Sequence, residues 1–230
     1  MTSFQTFWNG LDWSVLTNIL LRVIPALLCI TVHELCHGLT AYRLGDDTAK
    51  RAGRLTLNPL AHFDPLGTLM MLAVGFGWAK PVPVDMRRFR NPRRDMALTA
   101  LAGPLSNLLL TALTLFLYGV FALPLYRAGT ALADFLSDTL VMTAQLSLAL
   151  ALFNLLPVSP LDGSKVLFAF LSDAAYEKLM RYERYGMILL IVLSLTGVLV
   201  GPLSAAVEWC YLRLWPLAEL GASLGTTLFQ

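Results

Sequence analysis

Three long runs without an ionisable side chain constrain the fold of this chain more than any other feature. Asp, Glu, Lys, Arg and His are all absent from residues 96–126, 139–161 and 186–207. Each run exceeds the roughly 18 apolar residues that mark a candidate membrane-spanning helix. Charged residues make up 14% of the chain, whereas a soluble domain carries about 25%. The sequence therefore predicts an all-α polytopic membrane protein.

Further apolar stretches raise the predicted count to about five to six transmembrane or partial segments. Residues 14–43 form a helix that is retained, because no Lys or Arg precedes it and no small-residue cleavage site ends it. Residues 66–79 are uncharged but too short to span as a plain helix, so they predict a partial or re-entrant element. The tail, 205–230, carries charges and is either a further crossing or an interfacial amphipathic helix.

The basic residues predict the orientation of these segments. Of the 17 Lys and Arg residues, ten lie between Arg43 and Arg94 and four between Lys165 and Arg184. Loops rich in Lys and Arg tend to stay cytoplasmic, which places both regions inside and the 124–130 connection outside. We expect a multi-pass protein of the cell membrane. Because topology accounts for the positive charge, the lipid bilayer is an expected partner and nucleic acid is not.

The sequence HELCH, residues 33–37, ends the first predicted helix and contains ionisable groups that are costly at membrane depth. His33 and His37 are four residues apart and therefore share one face of a helix. Two imidazoles in this relation can bind one zinc ion, and Glu34 beside them can act as a general base. The alternative is a pair of buried, hydrogen-bonded histidines with a paired glutamate.

A catalytic zinc ion also needs a third protein ligand. After the HELCH motif no histidine follows until His62, and Asp162 is the first ionisable residue after the run 139–161. The predicted topology brings Asp162 to the same cytoplasmic side as the end of the first helix. Asp162 is therefore the strong candidate for the third ligand, with the site toward the cytoplasmic face.

HELCH and the later stretch NLLPVSPLDG, residues 154–163, together resemble the site-2 protease family of intramembrane zinc metalloproteases. The stretches LNPLAHFDPLGTL, GWAKPVPVD and FRNPRRDMALTALAGPLSN are typical of its compact branch. The resemblance implies that His33, His37 and Asp162 bind one Zn²⁺ per chain and that Glu34 activates a water molecule. It also implies that the substrates are transmembrane segments of other proteins.

The resemblance has two structural implications as well. AGRLTLNP and WAKPVPVD, two short stretches punctuated by Gly and Pro, would form a small membrane-associated β element beside the helices. Residues 1–230 would form a single integral-membrane metalloprotease domain without a PDZ or CBS domain. An exposed edge of the β element could hold an unwound substrate by strand addition.

Four other residues have more than one interpretation. The amide of Asn154, in the second motif, either donates to the oxyanion or substrate, as a catalytic group, or caps backbone opened by the prolines that follow. His62 is interpreted as a structural hydrogen-bonding group in preference to a ligand. Gly103 and Asn107, in GPLSN, lie at i and i+4 of a predicted membrane helix. This spacing favours helix packing over contact with substrate.

Two other functional classes compete with a protease. An inactive homologue, such as a chaperone, would bind zinc without catalysis, but a metal ligand set does not need the intact Glu34. A transporter would use the histidines and carboxylates as an ion pathway, yet the sequence has no paired inverted repeats of the kind many transporters carry. The sequence therefore favours an enzyme.

Overall fold

A computed structural model describes residues 13–65, 67, 80–171 and 185–229 of the chain. Helices dominate these residues, which contain no β-strand. The helices are α1 (Trp13–Arg43), α2 (Thr48–Arg51), α3 (Pro92–Ala128), α4 (Ala131–Asn154), α5 (Asp162–Phe168), α6 (Tyr185–Leu195), α7 (Val200–Leu214) and α8 (Pro216–Leu228), with single 3-10 turns at Pro59–Ala61 and Met86–Arg88.

Three of these helices, α1, α3 and α4, are long and apolar enough to cross a membrane. A fourth candidate is the pair formed by α6 and the 200–228 helices, which is bent by 82° and forms either a broken span or a re-entrant loop. The prediction of an all-helical membrane protein is therefore confirmed. The count of five to six segments is not confirmed and stays a prediction, since the predicted partial element 66–79 lies outside the described residues except for residue 67.

Local sequence signals explain where the longest helices begin and end. α3 starts with Pro92, whose fixed φ and missing N–H suit the first turn of a helix. It ends at Gly129, which adopts a left-handed φ of 53°. α4 follows at once because the Thr130 side chain accepts the N–H of Ala133 at 3.2 Å, as an N-cap residue does.

The uncharged run 186–207, a candidate membrane-spanning helix by sequence, is interrupted. α6 ends at Leu195 and α7 begins at Val200, with a turn between them. Gly197 in this turn has a φ of 72°, a conformation that glycine adopts without steric cost. The hydroxyl of Thr196 donates to the Val192 carbonyl at 2.8 Å within the last turn of α6. An apolar run without charges does not by itself distinguish one straight helix from this bent pair.

α3 lies at the centre of the bundle and contacts α1, α4, α5 and α8. Its contact with α8 is close because glycines face backbone on both sides. A Cβ at Gly119 would collide with the carbonyl of Ala218, and one at Gly221 would collide with that of Phe116. Small residues permit this approach between membrane helices. Leu115 of α3 is fully buried against this interface.

The predicted β element is not confirmed, since the part of the chain that the structure describes contains no strand. Residues 52–59 form a helix end and bends, and residues 80–85 have no regular secondary structure. The alternating prolines of 80–85 favour an extended backbone. Trp78 and Ala79 lie outside the described residues. In 80–85, Pro81 and Pro83 lack the N–H that a β-ladder needs. Other backbone N–H and C=O groups of this segment form hydrogen bonds with side chains instead.

Candidate metal centre

The C-terminal half of α1 carries the HELCH motif into the interior of the bundle. His33 and His37 are 5% and 9% exposed, so both imidazoles are buried. They lie on one face of the helix, as their spacing predicts, with ring centroids 4.5 Å apart. Buried imidazoles need polar partners, because an unsatisfied polar group in an apolar interior is costly.

Asp162 supplies one of those partners from the first residue of α5. Its Oδ2 lies 3.1 Å from Nε2 of His33 and 3.0 Å from Nε2 of His37. The three ligand atoms all lie within 4.8 Å of one another. Gly163 permits this placement, because a Cβ there would collide with the Leu155 carbonyl. The structure thus brings together the three residues that the sequence proposed as metal ligands.

A hydrogen bond to the backbone identifies the tautomer of His37. Nδ1 of His37 lies 2.7 Å from the carbonyl oxygen of Thr99, which can only accept, so Nδ1 carries the proton. In the neutral ring Nε2 is then an acceptor, and it faces a carboxylate oxygen. Two acceptors at this separation repel each other unless a proton or a metal cation lies between them. This arrangement fits a cation.

The spacing of the donor atoms is compatible with a zinc ion. Ligand atoms about 2.0–2.2 Å from a tetrahedral zinc ion are separated from one another by roughly 3.3 Å. The two nitrogen-to-oxygen distances given above, 3.1 and 3.0 Å, are close to that value. Imidazole nitrogen and carboxylate oxygen are both common zinc ligands, and three protein ligands leave one position open for water. The residues present therefore fit a catalytic zinc site.

Asn107 of α3 contacts the other nitrogen of His33. Its side-chain amide lies 3.4 Å from Nδ1 of His33, with Nδ2 facing the ring. The amide oxygen is buried and has no hydrogen-bond partner among the described residues. Rotation of the amide by 180° exchanges its two ends, and Oδ1 then accepts Nδ1–H of His33. That orientation leaves Nε2 of His33 unprotonated, as metal binding requires.

Gly103 of α3 explains how two imidazoles fit between α1 and α3. A Cβ at this position would overlap Nε2 of His37 and would lie 2.7 Å from Cε1 of His33. The glycine and Asn107 share one face of α3, four residues apart. GPLSN is therefore a packing motif, and the packing that it permits also forms one wall of the site.

Glu34 lines the same cavity as the three candidate ligands. The cavity has a volume of about 160 Å³, and Asn154 and Lys165 also line it. Oε2 of Glu34 accepts the backbone N–H of Val82 at 2.7 Å. This contact joins the HELCH motif to the extended segment 80–85, and no spacing pattern in the sequence predicts it.

Lys165 is a residue of the site that the sequence analysis missed. It lies one helical turn after Asp162, and its Nζ is 3.5 Å from Oδ1 of that carboxylate. Burial raises the pKa of Asp162, and the nearby ammonium group opposes this effect because it stabilises the charged carboxylate. The i, i+3 spacing of an acid and a base in LDGSK was the signal that could have identified this pair.

Two other residues from the sequence analysis lie in different places. Asn154 lines the cavity, and its amide nitrogen donates to the Leu150 carbonyl at 2.9 Å. Its predicted role as a catalytic group stays a prediction. His62 lies outside the cavity, where its Nε2 contacts the carbonyl oxygen of Thr56 at 3.0 Å. Its carbonyl accepts the N–H of Lys80 at 3.1 Å, which agrees with a structural role.

Comparison with known proteins identifies similar chains. The sequence model of peptidase family M50 matches residues 22–198. YwhC of Bacillus subtilis (strain 168), named as a candidate zinc metalloprotease, is 41% identical over 214 residues, which cover 90% of each chain. Rip2 of Mycolicibacterium smegmatis, named in the same way, is 31% identical over 180 residues, which cover 75% of this chain and 66% of that protein. No solved structure matches the chain significantly.

Proposed function

This chain belongs to peptidase family M50, the site-2 protease family of zinc metallopeptidases, and on that premise we propose that it hydrolyses peptide bonds within or near transmembrane segments of other proteins. The observation that carries the proposal is the meeting of His33, His37 and Asp162 in one buried cavity that Glu34 also lines. The two histidines lie on a helix long enough to span a membrane, so a substrate segment could reach the cavity within the bilayer.

The ligands His33, His37 and Asp162 would hold one zinc ion per chain. Zinc supplies a Lewis acid that polarises a carbonyl group and lowers the pKa of a bound water to about 7. The neutral imidazoles supply Nε2 lone pairs, which the contacts of their Nδ1 atoms with Thr99 and Asn107 would keep directed at the site. These partners orient the rings and need no change during the reaction.

Glu34 would act as the general base and then as the general acid. One of its oxygens accepts the N–H of Val82, which leaves Oε1 to accept a proton from the attacking water. The oxygen of that water bonds to the peptide carbonyl carbon, and the C–N bond then breaks. Glu34 passes the proton to the departing nitrogen, so the carboxylate is restored at the end of the cycle.

Asn154 would contribute from the end of α4, which lines the cavity. A primary amide has two N–H donors, and one of them is used by the Leu150 carbonyl. The second can donate to the developing oxyanion or to a backbone carbonyl of the substrate. This role is compatible with the alternative, in which the amide stabilises the end of α4, because the two use different hydrogens.

We also propose that the protein spans the cell membrane several times, with the site toward the cytoplasmic side. The basic residues between Arg43 and Arg94 support this orientation, because they flank the inner ends of α1 and α3. By this orientation, substrates would be cleaved near the cytoplasmic face of their membrane segments.

The deciding experiment compares purified wild type, Glu34→Gln and Asp162→Ala on candidate single-pass substrates, with and without a zinc chelator. Wild type should cleave a substrate and lose this activity with the chelator. Glu34→Gln should be inactive yet keep about one zinc per chain, because Glu34 is a base and not a ligand. Asp162→Ala should lose both zinc and activity.

Three outcomes would contradict parts of the proposal. Turnover by Glu34→Gln at the wild-type rate would show that the carboxylate is not the base. A wild type that binds zinc and cleaves no membrane substrate would favour the non-catalytic zinc-binding alternative. Full zinc occupancy and normal activity in Asp162→Ala would remove this residue from the ligand set.

A further inference from the structure

The extended segment 80–85 forms part of the wall of the candidate site. Pro81, Val82 and Val84 line the cavity that contains Glu34 and the candidate zinc ligands. Because Pro81 and Pro83 have no N–H, the amide of Val82 is a donor flanked by two residues that cannot donate. The position of this single N–H therefore depends on how the segment is held.

The start of the segment is held by two groups from elsewhere in the chain. The N–H of Lys80 donates to the carbonyl of His62 at 3.1 Å. The guanidinium group of Arg54, only 7% exposed, donates to the carbonyl of Lys80 and, at 3.1 Å, to that of Pro81. A charged donor that bonds two consecutive carbonyls fixes both the position and the direction of the backbone.

The end of the segment is held by a buried carboxylate. The N–H of Asp85 donates to Oδ2 of Asp46 at 2.7 Å. Asp46 is fully buried, and its other oxygen, Oδ1, accepts the N–H of Thr48 at 3.0 Å. Its guanidinium neighbour, Arg88, lies 3.9 Å from that oxygen. With both ends fixed, the middle of the segment cannot move independently of the loop after α1.

A glycine on α1 allows the held segment to lie against the catalytic motif. Gly38 is four residues after Glu34 and therefore shares its face of the helix. A Cβ at Gly38 would lie 2.6 Å from Cδ2 of Leu55 and 3.2 Å from Cγ1 of Val82. A larger residue would displace the segment, so the close approach of Val82 to this face depends on the glycine.

We propose that the backbone N–H of Val82 is a positioning donor for the catalytic base, which fixes the carboxylate of Glu34 through its hydrogen bond to Oε2. This inference rests on the proposed function, in which Glu34 accepts the proton of water. A glutamate side chain has several rotatable bonds, and the short hydrogen bond at 2.7 Å selects one arrangement of them. Oε1 is thereby held where a proton has to be accepted.

A backbone donor in an anchored segment has an advantage over a side-chain donor. Its position is set by Arg54 and Asp46 and is independent of side-chain rotation, so the base is oriented before substrate arrives. The effect of losing it should therefore appear in the chemical step, measured by kcat, more than in the binding of substrate or zinc.

The test removes this N–H and keeps the rest of the site. Val82→Pro deletes the donor in a segment that already contains alternating prolines, and Val82→Ala keeps the donor while losing the side chain. Relative to Val82→Ala, we expect Val82→Pro to lower kcat by roughly 10–100-fold, the usual effect of losing a partner that orients a metal-site residue. KM, zinc content and the visible spectrum of the cobalt-substituted protein should be the same in the two variants.

Three results would overturn the inference: a kcat for Val82→Pro within about twofold of that for Val82→Ala, a change confined to KM, or a loss of zinc that accounts for the loss of activity. If Val82→Pro does not fold, incorporation of the α-hydroxy acid analogue of valine at position 82 removes the same N–H and is judged by the same criteria. Wild type and Glu34→Gln are assayed together with these variants. If wild type cleaves, Glu34→Gln does not and Val82→Pro equals Val82→Ala, only the inference fails; if wild type never cleaves, the proposed function fails first.

Discussion

Replacement of Gly103 by alanine should disable the metal site through the addition of one methyl group. A Cβ at Gly103 would lie 2.5 Å from Cε1 of His37 and 2.7 Å from Cε1 of His33, and it would overlap Nε2 of His37. Favourable contacts between carbon atoms are about 3.5–4.0 Å long. The two rings would therefore have to move by about 1 Å, whereas metal–ligand distances tolerate only about 0.2 Å.

The substitution should have a large effect on zinc affinity and a small effect on the free energy of unfolding. Zinc affinity should fall by at least the roughly 10–100-fold that follows loss of a partner orienting a ligand, because here both imidazoles are displaced. Alanine is a better helix former than glycine by about 0.8–1 kcal/mol, which offsets part of the 1–3 kcal/mol that overpacking usually costs. The free energy of unfolding of the apoprotein should thus fall by about 2 kcal/mol at most.

The assay is competition for zinc against a chelator of known affinity, together with thermal unfolding of the apoprotein in the same detergent. The matched control is Gly201→Ala in α7, since a Cβ at Gly201 has no neighbour within 4 Å. The control should bind zinc as wild type does. A Gly103→Ala variant that competes for zinc as strongly as wild type would refute the reasoning, because it would show that the rings are not confined by α3.

Three further predictions concern the surroundings of the site and its orientation. Asn107→Asp should keep zinc affinity near that of wild type, since a carboxylate can accept Nδ1–H of His33. Asn107→Leu should lower zinc affinity by roughly 10–100-fold. If the two variants compete equally well with a chelator for zinc, the contact between Asn107 and His33 does not orient the ligand. Hydrogen bonds from Thr48 and Asp85 hold the pKa of Asp46 below its usual range, although burial opposes this. The Asp46 carboxylate therefore stabilises the folded protein above about pH 4. This stabilisation is lost as the pH falls through the folded-state pKa of Asp46. The melting temperature of wild type should therefore fall more steeply than that of Asp46→Asn on acidification below about pH 4, and parallel curves would contradict the assignment. Single cysteines at positions 90 and 127, in a background without the native cysteines, should label from opposite sides of the membrane. Labelling of both from the same side would overturn the charge-based topology.

The sequence predicted the long helices well because their physical signals are local. Apolar runs identified α1, α3 and α4, and a Pro, a Gly and a Thr account for the start and end of α3 and the start of α4. The bend between α6 and α7 was not predicted, since one glycine in an uncharged run does not require a turn. The β element was not confirmed for a related reason. Closely spaced Gly and Pro residues indicate an extended backbone. They do not indicate whether its hydrogen-bonding partners are neighbouring strands or side chains.

The cluster of the three candidate ligands was predictable because two of them are four residues apart and the third is the first ionisable residue after the uncharged run 139–161. The walls of the site were not predictable in the same way. The contact between Val82 and Glu34 joins residues 48 positions apart, and the contact between Asn107 and His33 joins residues 74 positions apart. Neither pair has a spacing pattern, and only the packing of α1 against its neighbours brings them together. Gly103 was interpreted as a packing residue, which is correct but omits what it packs against.

The cost of burying ionisable groups explains why the site has so many fixed partners. A charged group in an apolar interior is stable only if it is paired and hydrogen-bonded. Here Asp162 contacts both histidines and Lys165, and Glu34 accepts a backbone N–H. Removal of Asp162 therefore takes a contact from both histidines and from Lys165. Loss of the Val82 N–H, in contrast, should affect Glu34 alone. This difference makes the backbone contact the cleaner probe of catalysis.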